Sequence, residues 1–250
     1  LGSNTHTIVT WAWRGGGSAS SNTDGSITSS VSANTEAGFS IVSYSGSNSA
    51  ATVGHGLNSA PDYVIIKQRT ASGNWVVGAN VSGWTWSSDY LLLESTAAKA
   101  TNGGSSLFTS APSSSVLNLG GGSLTSTAGE NLIAYCFHSV DGYSKVGSYT
   151  GNGSADGTFV YTGFRPAWLL IKRTDSTSNW LILDNKREGF NPDQDGLDAN
   201  SSGAEGTAEQ SDFLSNGFKV RNNSSGSNAS GGTFIYLAFA EQPFKYANAR

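Results

Sequence analysis

Tyr63-Val64-Ile65-Ile66-Lys67 and Trp168-Leu169-Leu170-Ile171-Lys172 decide the fold. Each is a short apolar run ending in Lys, and each follows a turn that contains a proline, Pro61 or Pro166. Neither run alternates apolar with polar residues. Each therefore suits a strand buried on both faces, or the inner layer of a sandwich. Asn74-Trp75-Val76-Val77 and Asn179-Trp180-Leu181-Ile182-Leu183 come next, after turn residues, and read as the return strands of hairpins. Trp75 and Trp180, in equivalent strands, are expected in the core. Turn signals recur about every ten residues, as in sandwiches and barrels. Among 250 residues, Ser (41) and Gly (32) are so frequent that long helices are excluded. The one weak helix candidate is 92–100, good for a turn or two. The expected fold class is all-β: tandem β-sandwich repeats, jelly-roll or lectin-like, mostly antiparallel.

The two runs belong to an internal repeat. Tyr44 and Tyr149, Pro61 and Pro166, Lys67 and Lys172, Trp75 and Trp180 all share an offset of 105. Near the end of each unit the offset falls to 102, where Ile133 matches Ile235 and Phe137 matches Phe239. A third copy of this closing strand opens the chain as Thr7-Ile8-Val9-Thr10-Trp11-Ala12-Trp13. The expected organisation is an orphan closing strand over 1–13, a flexible Gly/Ser linker over 14–36, repeat one over 37–140, and repeat two with a C-terminal tail over 141–250.

Composition excludes several functions. With 14 basic against 18 acidic residues, a net charge of −4 and no basic cluster, phosphate neutralisation has no footprint, so nucleic acid is not an expected partner. No apolar run approaches the ~18–20 residues of a membrane span. A single cysteine, Cys136, allows neither an internal disulfide nor a cysteine-built zinc site. The absence of methionine reads as a piece of something longer.

The second repeat resembles a domain of tail-fibre-like proteins of bacteriophages, particularly marine and environmental ones. The resemblance runs through Gly142-Tyr143-Ser144-Lys145-Val146-Gly147-Ser148-Tyr149-Thr150-Gly151, Gly163-Phe164-Arg165-Pro166-Ala167-Trp168 and Ile171-Lys172-Arg173-Thr174-Asp175. It continues in Leu214-Ser215-Asn216-Gly217-Phe218-Lys219 and in the closing run from Tyr236 to Arg250, which looks like a natural C-terminus of that family. Repeat one, with Gly54-His55-Gly56-Leu57 before Ala60-Pro61-Asp62, looks like a more divergent copy. The resemblance implies repeated β-sandwich modules on an extracellular virion surface, other virion subunits as partners and a homotrimer, with no established catalytic set. An acid–arginine pair after the Trp strand is matched by Asp184 and Arg187 in repeat two only, where they join the candidate sugar contacts; Gly78 and Val81 stand there in repeat one.

Candidate chemistry lies in a few places. Trp84 and Trp86, with Tyr90, sit in a Ser/Gly-rich stretch without a counterpart in repeat two. Aromatic faces stack on sugar C–H surfaces, so they suit a glycan platform. They equally suit an extra strand whose tryptophans point inward. Lys67, Lys172, Arg69 and Arg173 suit an anionic sugar, or surface ion pairs with partners such as Asp184. Asn191-Pro192-Asp193-Gln194-Asp195-Gly196-Leu197-Asp198 imitates the first half of a calcium loop, with Asn191, Asp193, Asp195 and Asp198 as ligands. Its twelfth position is Ser202, so the bidentate Glu is missing, and a solvated acidic turn fits as well.

Nucleophilic catalysis has little to build on. The three histidines are His6, His55 and His138, there is no Gly-x-Ser-x-Gly elbow, and Cys136 aligns with Ala238. Asp184, Glu188, Asp193 and Asp195 could supply a hydrolase pair, and Tyr149 or Tyr161 with Lys172 a lyase. The expected function is a non-catalytic module recognising bacterial surface polysaccharide on a phage tail appendage. A polysaccharide-degrading tailspike enzyme and a purely structural spacer are the alternatives.

Overall fold

The computed structural model describes residues 8–101, 106–207 and 210–242. In the first unit the strands are β1 (Ser20–Asn22), β2 (Ser29–Asn34), β3 (Phe39–Ser45), β4 (Ala51–Gly54), β5 (Tyr63–Gln68), β6 (Val76–Ala79), β7 (Leu91–Leu92), β8 (Val116–Leu119) and β9 (Asn131–Phe137). A single helical turn, α1 (Ser123–Ser126), precedes β9. The second unit contains β10 (Ser144–Thr150), β11 (Phe159–Tyr161), β12 (Pro166–Arg173), β13 (Trp180–Asp184), β14 (Leu197–Asp198), β15 (Ser211–Leu214), β16 (Gly217–Val220) and β17 (Thr233–Ala240). The fold is all-β, and every strand pair is antiparallel.

The main sheet of unit one runs β1-β2-β3-β9-β5-β6-β7, and that of unit two β10-β17-β12-β13-β14. Pairing registers correspond at the sequence offsets. Tyr63 faces Phe137 as Trp168 faces Phe239, and Ile65 faces Val77 as Leu170 faces Ile182. A smaller sheet covers one face of each main sheet: β4-β8 in unit one and β11-β16-β15 in unit two.

Three cores explain the unbroken apolar runs. Val64 and Ile66 of β5, with Leu132, Ala134 and Cys136 of β9, face β4-β8 and the core of unit one. Leu169 and Ile171 of β12, with Phe234, Tyr236 and Ala238 of β17, face β11-β16-β15. The opposite faces meet each other. Tyr63, Val77 and Phe137 from one main sheet pack with Leu170, Trp180, Leu237 and Phe239 from the other in a third, shared core. The rings of Phe137 and Phe239 touch there at 6.0 Å between centroids. Successive side chains of a strand point to opposite faces, and here both faces are dry.

Several expectations change. The stretch 14–36 is no flexible linker, because it carries β1 and β2, and Val31 turns inward from β2 at 5% exposure. Its inward residue is flanked by serines, so the pattern was hidden by composition. Residues 8–13 of the supposed orphan strand form no strand; residues 1–7, including His6, lie outside the described residues. Trp13 instead packs edge-on to Trp168 at 5.1 Å and against Phe239 at 5.5 Å, capping the shared core. The 92–100 stretch is not helical; it runs from β7 to a bridge pairing Tyr90 with Ala100. Trp180 is buried at 1% exposure, whereas Trp75 precedes its strand, half-buried beneath the Lys67 ammonium at 5.9 Å. Register also aligns Asp184 with Ala79, one place from the expected Gly78.

Candidate functional site: a groove between the sandwiches

The loop after β6 builds one wall of a groove. Its organiser is Asp89, 3% exposed. Asp89 accepts hydrogen bonds from the Thr85 amide (2.8 Å), the Ser88 hydroxyl (2.8 Å) and Lys99 Nζ (2.6 Å). Burial opposes the charge on Asp89, but the bonds from Lys99, Thr85 and Ser88 outweigh it and hold the carboxyl below the usual carboxylate range. Lys99 also donates to the Gly83 carbonyl (2.8 Å), and its Nζ stands 5.5 Å from the centre of the Trp84 ring.

The two tryptophans part ways on this loop. Trp86 is 5% exposed and edge-on to Phe108 at 5.1 Å. It presses onto Gly78, where a Cβ would stand 2.3 Å from its ring, so only glycine fits beneath it. Trp86 is core. Trp84 stays half-buried where the unit-one core and the shared core meet. Tyr90 closes the base of the loop through paired backbone bonds with Ala100 (3.1 and 3.0 Å) and packs on the unit-one core.

Unit two supplies the facing wall. Between Trp84, Val81 and Lys99 on one side and Ser148, Thr150, Thr174, Asp175 and Thr233 on the other lies a cavity of about 460 Å³. The Thr174 and Thr233 hydroxyls are 2.8 Å apart. Asp175 accepts from Arg173 Nε (2.9 Å) and from the Thr233 amide (3.1 Å). One wall is an indole; the other is a row of hydroxyls on a braced turn.

A strap from unit one, residues 96–99, forms the floor boundary. The Thr96 carbonyl accepts from the Ser178 amide (2.8 Å) and from Lys172 Nζ (3.0 Å), and the Lys99 amide donates to the Thr174 carbonyl (2.8 Å). Lys172 donates a second bond to the Ser178 carbonyl (2.7 Å) and is fully buried. Burial, reinforced by the adjacent Arg173 charge, pushes its pKa down to about 8. Beyond the strap is a second cavity of about 430 Å³, lined by Thr96, Ser178, Asn179, Asp198 and Ser225, with no aromatic wall.

The charged residues expected to bind sugar are otherwise engaged. Lys172 is a strap anchor that a ligand cannot reach. Arg173 makes two bonds to Asp175 and a third to the Ser225 carbonyl (3.1 Å). Asp184, 3% exposed, accepts from the Lys186 and Arg187 amides, Arg187 Nε (2.7 Å) and Trp11 Nε1 (3.3 Å). Arg187 pairs further with Glu205. These residues order a turn over the N-terminal segment and line neither cavity.

Two of the expected calcium ligands have side-chain partners of their own. Asn191 clamps Phe213 by both backbone groups, and Asp198 accepts from Asn179 (2.7 Å). Asp193 is 2% exposed with neither carboxylate oxygen hydrogen-bonded. Among the described residues no three His, Cys, Asp or Glu side chains converge on a metal position, Asp195 included. The lyase pair separates as well. Tyr149 faces the unit-two core and donates to the Ser227 carbonyl (2.6 Å), while Lys172 leaves the opposite face of the same sheet. Tyr161 is on the outer small sheet, and Glu188 is held by Gln194.

Trp84 and Tyr90 were thus legible as a pair on one loop, but Asp89, Lys99, Thr96 and the Thr174–Thr233 wall were not. The strap and the shared core bring these residues together, and no spacing announces either.

What the geometry defines is an all-β protein of two sandwiches packed back to back, with an aromatic-walled, hydroxyl-lined groove at their junction. The chain belongs to the family DUF7483, a domain of unknown function, whose model matches residues 1–243. No curated protein and no solved structure matches it.

Proposed function

We propose that this chain is a non-catalytic carbohydrate-binding module that recognises bacterial surface polysaccharide, on the phage tail appendage implied by its resemblance. The observation that carries the reading is the groove itself. Trp84 offers an indole to the C–H face of a sugar, and the Ser148, Thr150, Thr174 and Thr233 side of the cleft offers hydroxyls to its rim. The cations and anions there are already matched, Lys99 with Asp89 and Asp175 with Arg173, which favours a neutral glycan over a uronate polymer. Single sites of this kind bind weakly, and trimerisation on a fibre would raise their strength by avidity.

The catalytic alternative draws less support. Asp184, Glu188, Asp193 and Asp195 line neither cavity, and the buried Asp193 is out of reach of a polymer. The test is a glycan array carrying capsular and lipopolysaccharide fractions, read both for retention and for released oligosaccharides. Retention without release is the expected result. Release of oligosaccharides would overturn the non-catalytic reading, and silence on every fraction would leave a structural spacer.

A further inference from the structure

The outer face of the unit-two small sheet carries a feature that the groove does not use. Phe159 and Tyr161 stand at alternate positions of β11, an edge strand, and are 44% and 65% exposed, while Val160 between them points inward at 7%. Among the described residues Phe190 is the other exposed large aromatic, and two on one strand face form a patch. Both lie against glycine. The Phe159 ring reaches diagonally across the strand pair onto Gly217, where a Cβ would come within 3.1 Å of the ring and 2.1 Å of the Val160 carbonyl oxygen. The Tyr161 ring passes beside Gly163, 3.7–3.9 Å from where its Cβ would be. Each ring has bare backbone beneath it and solvent beside it.

Polar groups border the pair. Lys219, directly opposite Phe159, bonds Asp156 at 2.8 Å, and Arg221 reaches both Asp156 (3.7 Å) and Asp212 (3.4 Å). The corresponding strand of unit one, Ala51-Thr52-Val53-Gly54, has no aromatic residue. The patch is two rings wide and hemmed by ion pairs, far below the ~800 Å² per partner of a stable protein interface. With three residues, β11 is also too short to template strand addition by a second copy. Two side-by-side rings bordered by hydrogen-bonding groups match one or two sugar rings.

We propose that Phe159 and Tyr161, with Lys219 and Asp156 at their border, form a second carbohydrate subsite that takes pyranose rings of a neutral polysaccharide, independently of the Trp84 groove. The test is electrophoresis of the full chain through native gels containing dextran, hydroxyethylcellulose, galactan or alginate. At least one neutral polymer is expected to slow the parent. Phe159→Ala and Tyr161→Ala should each weaken that retardation by roughly fivefold or more, and Phe159→Trp should preserve it. Trp84→Ala should leave residual retardation that disappears only when all three alanines are combined. Because both outer rings are exposed, unchanged melting temperatures check that the variants remain folded.

Retardation of the Phe159→Ala/Tyr161→Ala double variant equal to that of the parent on every polymer overturns the subsite, even if Trp84→Ala abolishes binding. Retardation by alginate alone overturns the neutral class, and retardation by none overturns the subsite outright. A concentration-dependent dimer in sedimentation that the double variant loses would assign the face to a second copy instead.

Discussion

Among the described acidic side chains, Asp193 departs furthest from ordinary carboxylate chemistry. Burial, with the nearby Asp184 charge, pushes its pKa up to about 7; Arg187 opposes the shift, while Glu188 and Asp195 add to it. An unfolded Asp titrates near 3.9, so the unfolded chain loses this proton at lower pH than the folded one. The penalty is absent below about pH 4 and grows as pH rises through about 7. Asp193→Asn should therefore gain about 1–3 kcal/mol over the parent at pH 8 and little at pH 4, read from urea midpoints at both. An equal effect at both pH values would mean that the carboxyl titrates alike in the folded and unfolded chains, contradicting the upward shift. The two loop tryptophans make the complementary contrast. Trp86→Ala should cost about 3–5 kcal/mol, because a cavity opens between Gly78 and Phe108. Trp84→Ala should cost much less and instead weaken glycan retention. Thermal melts beside binding assays on the two variants separate the roles.

Lys172 was legible as a lysine at the end of an apolar strand, and that pattern fits a basic ligand contact as well as a buried anchor. Only the partner segment distinguishes the two, and the Thr96 carbonyl lies 76 residues away in sequence. Lys172→Met should unpin the strap: amide exchange at 96–99 should speed up, and glycan binding should weaken severalfold although Lys172 touches no ligand. Unchanged exchange there would contradict the anchoring role. By contrast the strands of β5, β12 and β17 were readable from sequence, since a strand with two dry faces needs an unbroken apolar run. β2 was not, because Val31 is its single buried apolar residue among serines. The aromatic loop was visible while its function was not. Trp84 and Trp86 are two residues apart in one composition, and the close approach at Gly78 decides which of them becomes core.

At the level of the entire molecule, the shared core of Phe39, Tyr63, Phe137, Leu170, Leu237 and Phe239 determines behaviour. Two sandwiches joined only by a tether would unfold separately. Here each main sheet would expose a continuous apolar face if its partner were lost, so the described structure should melt in one cooperative transition. Calorimetry should give equal van't Hoff and calorimetric enthalpies, and Leu237→Ala should lower the single melting temperature without splitting it. Two resolved transitions would show that the sandwiches are energetically independent. The same packing creates the groove, since Trp84 comes from one unit and the Thr174–Thr233 wall from the other.

The most direct test of the central claim is therefore retention of the parent and of Trp84→Ala side by side on the capsular and lipopolysaccharide array. The parent should be held without releasing oligosaccharide, and Trp84→Ala should lose roughly tenfold or more of that retention while melting only slightly below the parent. Equal retention of the two proteins would contradict binding in the groove.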